Sequence, residues 1–419
     1  MFVEGFLKKY MLKKKYSNII EAIYWNTFVR KIAGLSVMEV ISVGGSLESN
    51  MSTLGLLGFL IFCITYISCV LVAYSQDQTI IRIIFDTKLK QYGDLFEKIA
   101  TVSFVIYVMI KMGWKLSNDT KFAQMVVDVD KFITDMSVVG VSIDYVRYAI
   151  SSIYMIMAQE ILWMCRVLSI FVILYGQEAP IPFGKIYQGA YSDGLALGIS
   201  SAYCYSLFIW KDKYEHLNTI LRHIRDKKMW EQTFFIRIKG SDTVKATQLQ
   251  DKYICEKIRM CSRLCTKLYD GIEHINGAYG ISLAITIFVC INYIILYMFY
   301  FMEATAAGLF HDFPRYTRLL VFVFWQIGYA TFVFIVLVYF AELALTEAKK
   351  TSFIVHEIIQ KDFSPAVKAE AMQFSVQLLH QVPILKAHGL YVINYAILYE
   401  GGRYVLQFLV MLLQFVDTK

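Results

Sequence analysis

Five side chains near the carboxyl end, Glu400, Arg403, Gln407, Met411 and Gln414, recur three or four residues apart inside an otherwise apolar stretch. Wound as a helix at about 100° per residue, they fall on one stripe. A carboxylate, a guanidinium and two amides cannot face hydrocarbon, where each unsatisfied polar group costs about several kcal/mol. They need water or protein partners, so the spacing predicts a water-filled path lined by copies of this helix. Arg403 repels cations unless Glu400, on its own or a neighbouring helix, neutralises it. Interhelical hydrogen bonding by the two amides is the competing use of the same stripe.

A second constellation is charged and aromatic. Arg166 lies fifteen residues before Ile181, in a proline-bounded loop, and Asp193 twelve residues after it, so two antiparallel helices hold them at similar depth and they are expected to pair. Around them the sequence offers Tyr187, Gln188 and Tyr191, then Asn292, Tyr293 and Tyr297, then Phe322, Trp325 and Gln326. Aromatic faces with a few hydrogen-bonding groups are the mixture a small-ligand site needs. Glu160 is read as structural.

Other chemistries are not supported. None of the eight cysteines falls in an expected outer loop and no disulfide framework is expected; Cys261 and Cys265, four apart, are too few ligands for a zinc site and read as buried packing. No Walker loop, dinucleotide fingerprint or His-Glu-x-x-His occurs. The expectation is a protein without metal or cofactor, and not an enzyme.

These side chains must be carried by membrane helices. Of 419 residues 57% are hydrophobic and 18% charged, and the mean hydropathy is +0.50. That balance belongs to a polytopic membrane protein. Stretches long enough to cross about 30 Å of hydrocarbon run over Ser52–Tyr74, Ile99–Trp114, Ile150–Tyr175, Ile186–Trp210, Ile275–Met302, Tyr316–Leu345 and His388–Phe415. The fold class is all-α, with seven transmembrane helices. Lysines and arginines crowd the amino-terminal segment and the loops 211–267 and 349–386. The positive-inside rule then places the amino terminus in the cytoplasm and the carboxyl terminus outside. The net charge of +7 reads as topology and contact with anionic membrane lipid, not nucleic-acid binding.

No cleaved signal peptide is expected, and the Asn118 sequon is expected to be cytoplasmic and unmodified. Helical periodicity late in 211–273 and through 346–387 predicts cytoplasmic extensions of the helices, with Ser364-Pro365 starting a separate helix. The expected organisation is a cytoplasmic segment 1–51, six sensing helices over 52–345, a helical anchor 346–387 and a pore-lining helix 388–419.

The carboxyl-terminal window resembles the insect gustatory receptors, a family of seven-helix ligand-gated cation channels with this inverted topology. That family ends in Thr-Tyr, five hydrophobic residues, then Gln-Phe. Here Gln407-Phe408 stands in place of Thr-Tyr, and Leu409 to Leu413 and Gln414-Phe415 match. Ala387 to Asn394 and Glu347 to Thr351 are similar to the family's segments before the seventh helix and after the sixth. The resemblance implies a homotetramer or heterotetramer with related receptors in the plasma membrane of a chemosensory neuron. A small-molecule tastant would bind in the outer half of the first six helices, and monovalent and divalent cations would pass a central pore. It maps Gln407, Met411, Gln414 and Phe415 onto the pore and gate, with Glu400 and Arg403 at its cytoplasmic mouth. The sugar-sensing branch carries Glu where this chain has Leu409, so a bitter or divergent tastant is expected. A signalling receptor or transporter without a central pore is the alternative.

Overall fold

The computed structural model describes residues 16, 18–32, 34, 36–43, 46–75, 99–100, 102–110, 118–136, 143–176, 182–226, 243–306 and 313–417. Two short helices, α1 (Ile19–Ala22) and α2 (Tyr24–Ile32), are followed by an antiparallel hairpin of β1 (Met38–Val43) and β2 (Ser46–Met51). The bundle helices are α3 (Thr53–Ser75), α4 (Asn118–Asp135), α5 (Tyr145–Gly176), α6 (Phe183–Arg225), α7 (Thr243–Ala306) and α8 (Phe313–Gln360). Then come α9 (Pro365–His380), the two-residue strands β3 (Lys386–Ala387) and β4 (Tyr391–Val392), and α10 (Tyr395–Asp417). Residues 102–110 are also helical, and Lys111 to Trp114 of the second expected span lie outside the described residues.

The architecture is that of a helical polytopic membrane protein. Helix length dictates its two storeys. The 64 residues of α7 and the 48 of α8 extend about 96 and 72 Å at 1.5 Å per residue, far beyond a bilayer core. Their polar halves must leave the membrane. They do so beside the lower end of α6, which does not stop at Trp210 as its hydropathy suggests but runs on to Arg225. The helix at Ser364-Pro365 forms as expected, the Ser364 side chain accepting from the Val367 amide. The seventh helix starts later than its apolar stretch. His388 and Gly389 take φ of 51° and 76° in the β3–β4 turn, and α10 begins at Tyr395. The β1–β2 hairpin was not expected in an all-α chain. Its β-branched residues Val40, Ile41 and Val43 and the Gly-Gly pair that follows are its signal.

The lower storey is held by buried polar contacts. Lys213, fully buried on α6, lies 2.5 Å from Asp130 of α4 and donates to the Tyr148 hydroxyl of α5 at 2.9 Å. Tyr148 in turn donates to Asp212, and Tyr145 to Asp130. Burial pushes the Asp130 carboxyl above its ordinary value, and the Lys213 ammonium opposes that shift. Asn218 of α6 donates to both the carbonyl and the side chain of Glu347 on α8 and accepts from Thr351. The Trp210 indole donates to the Leu268 carbonyl and lies flat against Gly271, where any Cβ would meet its ring at 1.8 Å. Cys261 and Cys265 are buried in this storey as free thiols, in keeping with packing.

Candidate functional site

In the upper storey α5 and α6 are antiparallel, and their expected pair forms. Arg166 Nε lies 2.7 Å from Asp193 Oδ2, with the arginine side chain only 5% exposed. The guanidinium is sandwiched by aromatic faces, 4.2 Å from the ring centroid of Tyr329 and 5.2 Å from that of Tyr293. A carboxylate and two π-faces together make a buried cation tolerable. This cluster walls a cavity of about 40 Å³ whose other lining includes Ser192, Thr286, Cys290 and Val333. That volume is room for about one water, against the several hundred Å³ of a typical ligand pocket.

The remaining candidates fall elsewhere. Tyr297 and Phe322 pack edge to face at 5.9 Å in an apolar cluster that also holds Leu409 of α10. Tyr191 stacks on Phe62 of α3 at 3.9 Å, and Tyr187, partly exposed, donates to Thr65. Gln188 is buried, and Gln326 donates to Ser169 of α5. Asn292 turns its amide back to the Phe288 carbonyl of its own helix, and Trp325 is 38% exposed on the outside of the bundle. Of the sequence candidates, Arg166, Asp193 and Tyr293 therefore share one cavity. Tyr329 joins them from α8. Its signal was available, because it lies one turn beyond Gln326 on the same helical face.

On α10 the buried edge is Ile397, Gly401 and Leu409, with Val405 half-buried between them. At 100° per residue this edge lies about 140° around the helix from the stripe of Glu400, Arg403, Gln407, Met411 and Gln414, and all five are exposed. Arg403 Nη1 stands 3.9 Å from Glu400 Oε2, a loose pair with both side chains half exposed or more. Phe415 belongs to α10, but its side chain lies outside the described residues. Gly401 is the close-approach point, since a Cβ there would sit 2.9 Å from Phe334 of α8 and 3.7 Å from Ile291 of α7. Gly402 faces open space.

Ile291 and Phe334 adjoin Cys290 and Val333, which line the cavity. The α7–α8 pair thus walls the cavity and also packs against α10 at Gly401. Lower down, Asn276 of α7 donates to the Ile384 carbonyl and accepts from the Lys386 amide, fixing the connector that leads into α10. The Gln377 amide on α9 donates to Thr266 and to the Ser262 carbonyl, tying α9 to α7 further down. α7 therefore runs unbroken from the connector at Asn276 to the level where it meets both the cavity and Gly401.

Long apolar helices that run on into a packed polar layer, with a buried ion pair in the upper bundle, define a multi-pass membrane protein. The family model described as 7tm Chemosensory receptor matches residues 31–419, and the chain belongs to that family. No curated protein sequence matches it. Its fold is similar to that of the insect olfactory receptor OR5 from Machilis hrabei, with TM-score 0.50 and 10% identity, over 94% of this chain and 99% of that one. The same receptor in complex with eugenol gives TM-score 0.49 and 12% identity over 94% and 97%.

Proposed function

We propose that this chain is a gustatory receptor, a ligand-gated nonselective cation channel that detects a small-molecule tastant at the plasma membrane of a chemosensory neuron. The observation that carries the reading is the two-sidedness of α10: its Gly401–Leu409 edge is packed on the bundle, and its polar stripe is turned away. Four copies placing that stripe on a common axis would give it water and give cations a lined path. Residues 388–419 then act as the pore segment, 346–387 as the cytoplasmic anchor and 52–345 as the sensing bundle, with 1–51 on the cytoplasmic side.

The ligand enters beside Arg166, Asp193, Tyr293 and Tyr329. A cavity of about 40 Å³ cannot hold a tastant, so binding must favour a state in which α7 and α8 stand further from α5 and α6. A ligand shifts the equilibrium only by its higher affinity for that expanded state. Moving α7 and α8 moves Ile291 and Phe334, and with them the grip on Gly401. Leu409, where sugar-sensing relatives carry Glu, favours a bitter or divergent tastant. Excised membrane patches containing only this chain, or this chain with a related subunit, test the reading. Tastant-evoked current without nucleotide or G protein supports it; silence with a ligand shown to bind contradicts it and favours a signalling receptor or transporter.

A further inference from the structure

α2 turns polar side chains inward and aromatic ones outward. Its buried residues are Asn26 and Lys31, while Tyr24, Trp25 and Ile32 stand about half exposed. The polar face meets a cavity of about 370 Å³ lined by α1, α2, β1, α3, α4, α6 and α7. That volume is in the range of small-ligand pockets, and no lining residue is shared with the Arg166 cavity. The cavity lies where α3 begins at Thr53 and where the apolar stretch of α7 begins at Ile275. By the positive-inside rule this is the cytoplasmic boundary of the membrane.

The chemistry of the wall selects the occupant. Ile19, Ile23, Val126, Ile209 and Ile275 supply apolar surface. The Lys31 ammonium is answered by Glu39 at 3.0 Å, and Arg30 and His274 have interactions of their own, so the charged lining does not call for an ionic ligand. Tyr205 donates to the Tyr148 carbonyl and Ser206 to the Ala202 carbonyl. Asn26 differs from all of these. It is 9% exposed, and its side chain makes no hydrogen bond among the described residues. A carboxamide presents an N–H donor and a carbonyl acceptor side by side, and leaving both unpaired in a buried place is costly.

We propose that this cavity is a second small-molecule site, for a neutral, flat molecule whose amide N–H and C=O lie on one edge, as in a lactam or a cyclic imide. The Asn26 carbonyl accepts from the ligand N–H, its amide donates to the ligand carbonyl, and the isoleucines cover the ring. An ionised ligand of the same shape is disfavoured by the cost of taking its charge out of water. The consequence lies in α7. Ile275, Ala278 and Tyr279 line the cavity, whereas Asn276 holds the connector and a Cβ on Gly280 would lie 2.8 Å from the His388 amide nitrogen. An occupant therefore bears on the stretch of α7 that carries the connector into α10.

The test is equilibrium dialysis of 6-phenyl-2-quinolinone, a flat lactam, against the full-length receptor in nanodiscs, with empty nanodiscs giving the lipid background. Wild type should bind it saturably, about one per subunit. The N-methyl derivative, which lacks the N–H, should bind at least about tenfold more weakly, because the Asn26 carbonyl then stays unpaired. Asn26→Leu should bring the two compounds within about twofold of each other and raise the thermal midpoint of the empty receptor. Ala123→Leu, which fills the cavity from α4, should abolish binding, and Arg166→Met with Asp193→Leu should leave it unchanged. No saturable binding by wild type up to about 1 mM, equal affinity for the lactam and its N-methyl form, or a lactam preference that survives in Asn26→Leu overturns the proposal. The first of these, with a lowered midpoint in Asn26→Leu, means that water alone pairs the amide. Should Asn26→Leu fail to assemble, Ala123→Leu decides: undiminished binding there places the ligand outside this cavity.

Discussion

Arg166 and Asp193 meet at 2.7 Å across the α5–α6 interface, and Tyr329 of α8 closes over the guanidinium at 4.2 Å. One ion pair thus joins three bundle helices at the wall of an upper-storey cavity. Its surroundings are largely apolar and aromatic, so the pair is worth most when both partners are present.

Removing one partner should damage folding more than removing both. Arg166→Met or Asp193→Leu alone should cost about 3–5 kcal/mol, read as a lowered thermal midpoint by size-exclusion detection and as reduced surface expression. The double variant should recover most of that loss and still shift the concentration dependence of activation at least tenfold, with unchanged permeability ratios. A double variant that activates like wild type would remove the pair from the ligand site.

The two adjacent glycines of α10 should behave oppositely. Gly401→Ala places a methyl 2.9 Å from Phe334, so it should alter gating, seen as basal current or a reduced maximal response. Gly402→Ala meets nothing within 4 Å and should be neutral, or gain about 0.5–1 kcal/mol of helix stability. Equal effects at both sites would mean that flexibility, not close packing, is what the pair supplies.

Asn276→Ala removes two hydrogen bonds to the connector, each worth about 1 kcal/mol. Surface expression and ligand binding should persist while the maximal tastant-evoked current falls. Loss of binding together with current would place the effect in the bundle instead of the connector.

The Arg225 guanidinium and, after it, Lys361 hold the Asp226 carboxyl down at about 2, where the ends of α6 and α8 meet. A depressed carboxyl contributes stability above its ordinary value near about 3.9 and loses it only as pH falls toward about 2. The difference in thermal midpoint between wild type and Asp226→Asn should therefore stay constant from about pH 5 to 8 and shrink only below about pH 4. A difference that varies with pH between 5 and 8 would assign the titration to another group.

What could be read in advance follows from how local each signal is. The polar stripe of α10 and the Arg166–Asp193 register are set by spacing along one helix or across one short loop, so counting residues finds them. The Asp130–Lys213 contact joins residues on separate helices with no shared periodicity, and nothing in either segment announces the other. The continuation of α6 to Arg225 is hidden by its charges, because hydropathy stops where the membrane stops and the helix does not. Candidate ligand residues were legible as a set of types but not as a set of directions: Asn292 and Trp325 stand on the same helices as Tyr293 and Tyr329, turned away from the cavity. Close approach of backbone, as at Gly401 against Phe334, is a property of three helices and belongs to no single segment.

On the proposed reading the exposed stripe of α10 lines the ion path. Single cysteines at positions 407 to 415, probed with a water-soluble thiol reagent during tastant exposure, test this. Labelling and current block should recur at Gln407, Met411 and Gln414 and spare Leu409, which is buried against the bundle. A stripe protected at all three positions, in receptors that still conduct, would mean that the glutamines hold helices together and that ions travel elsewhere.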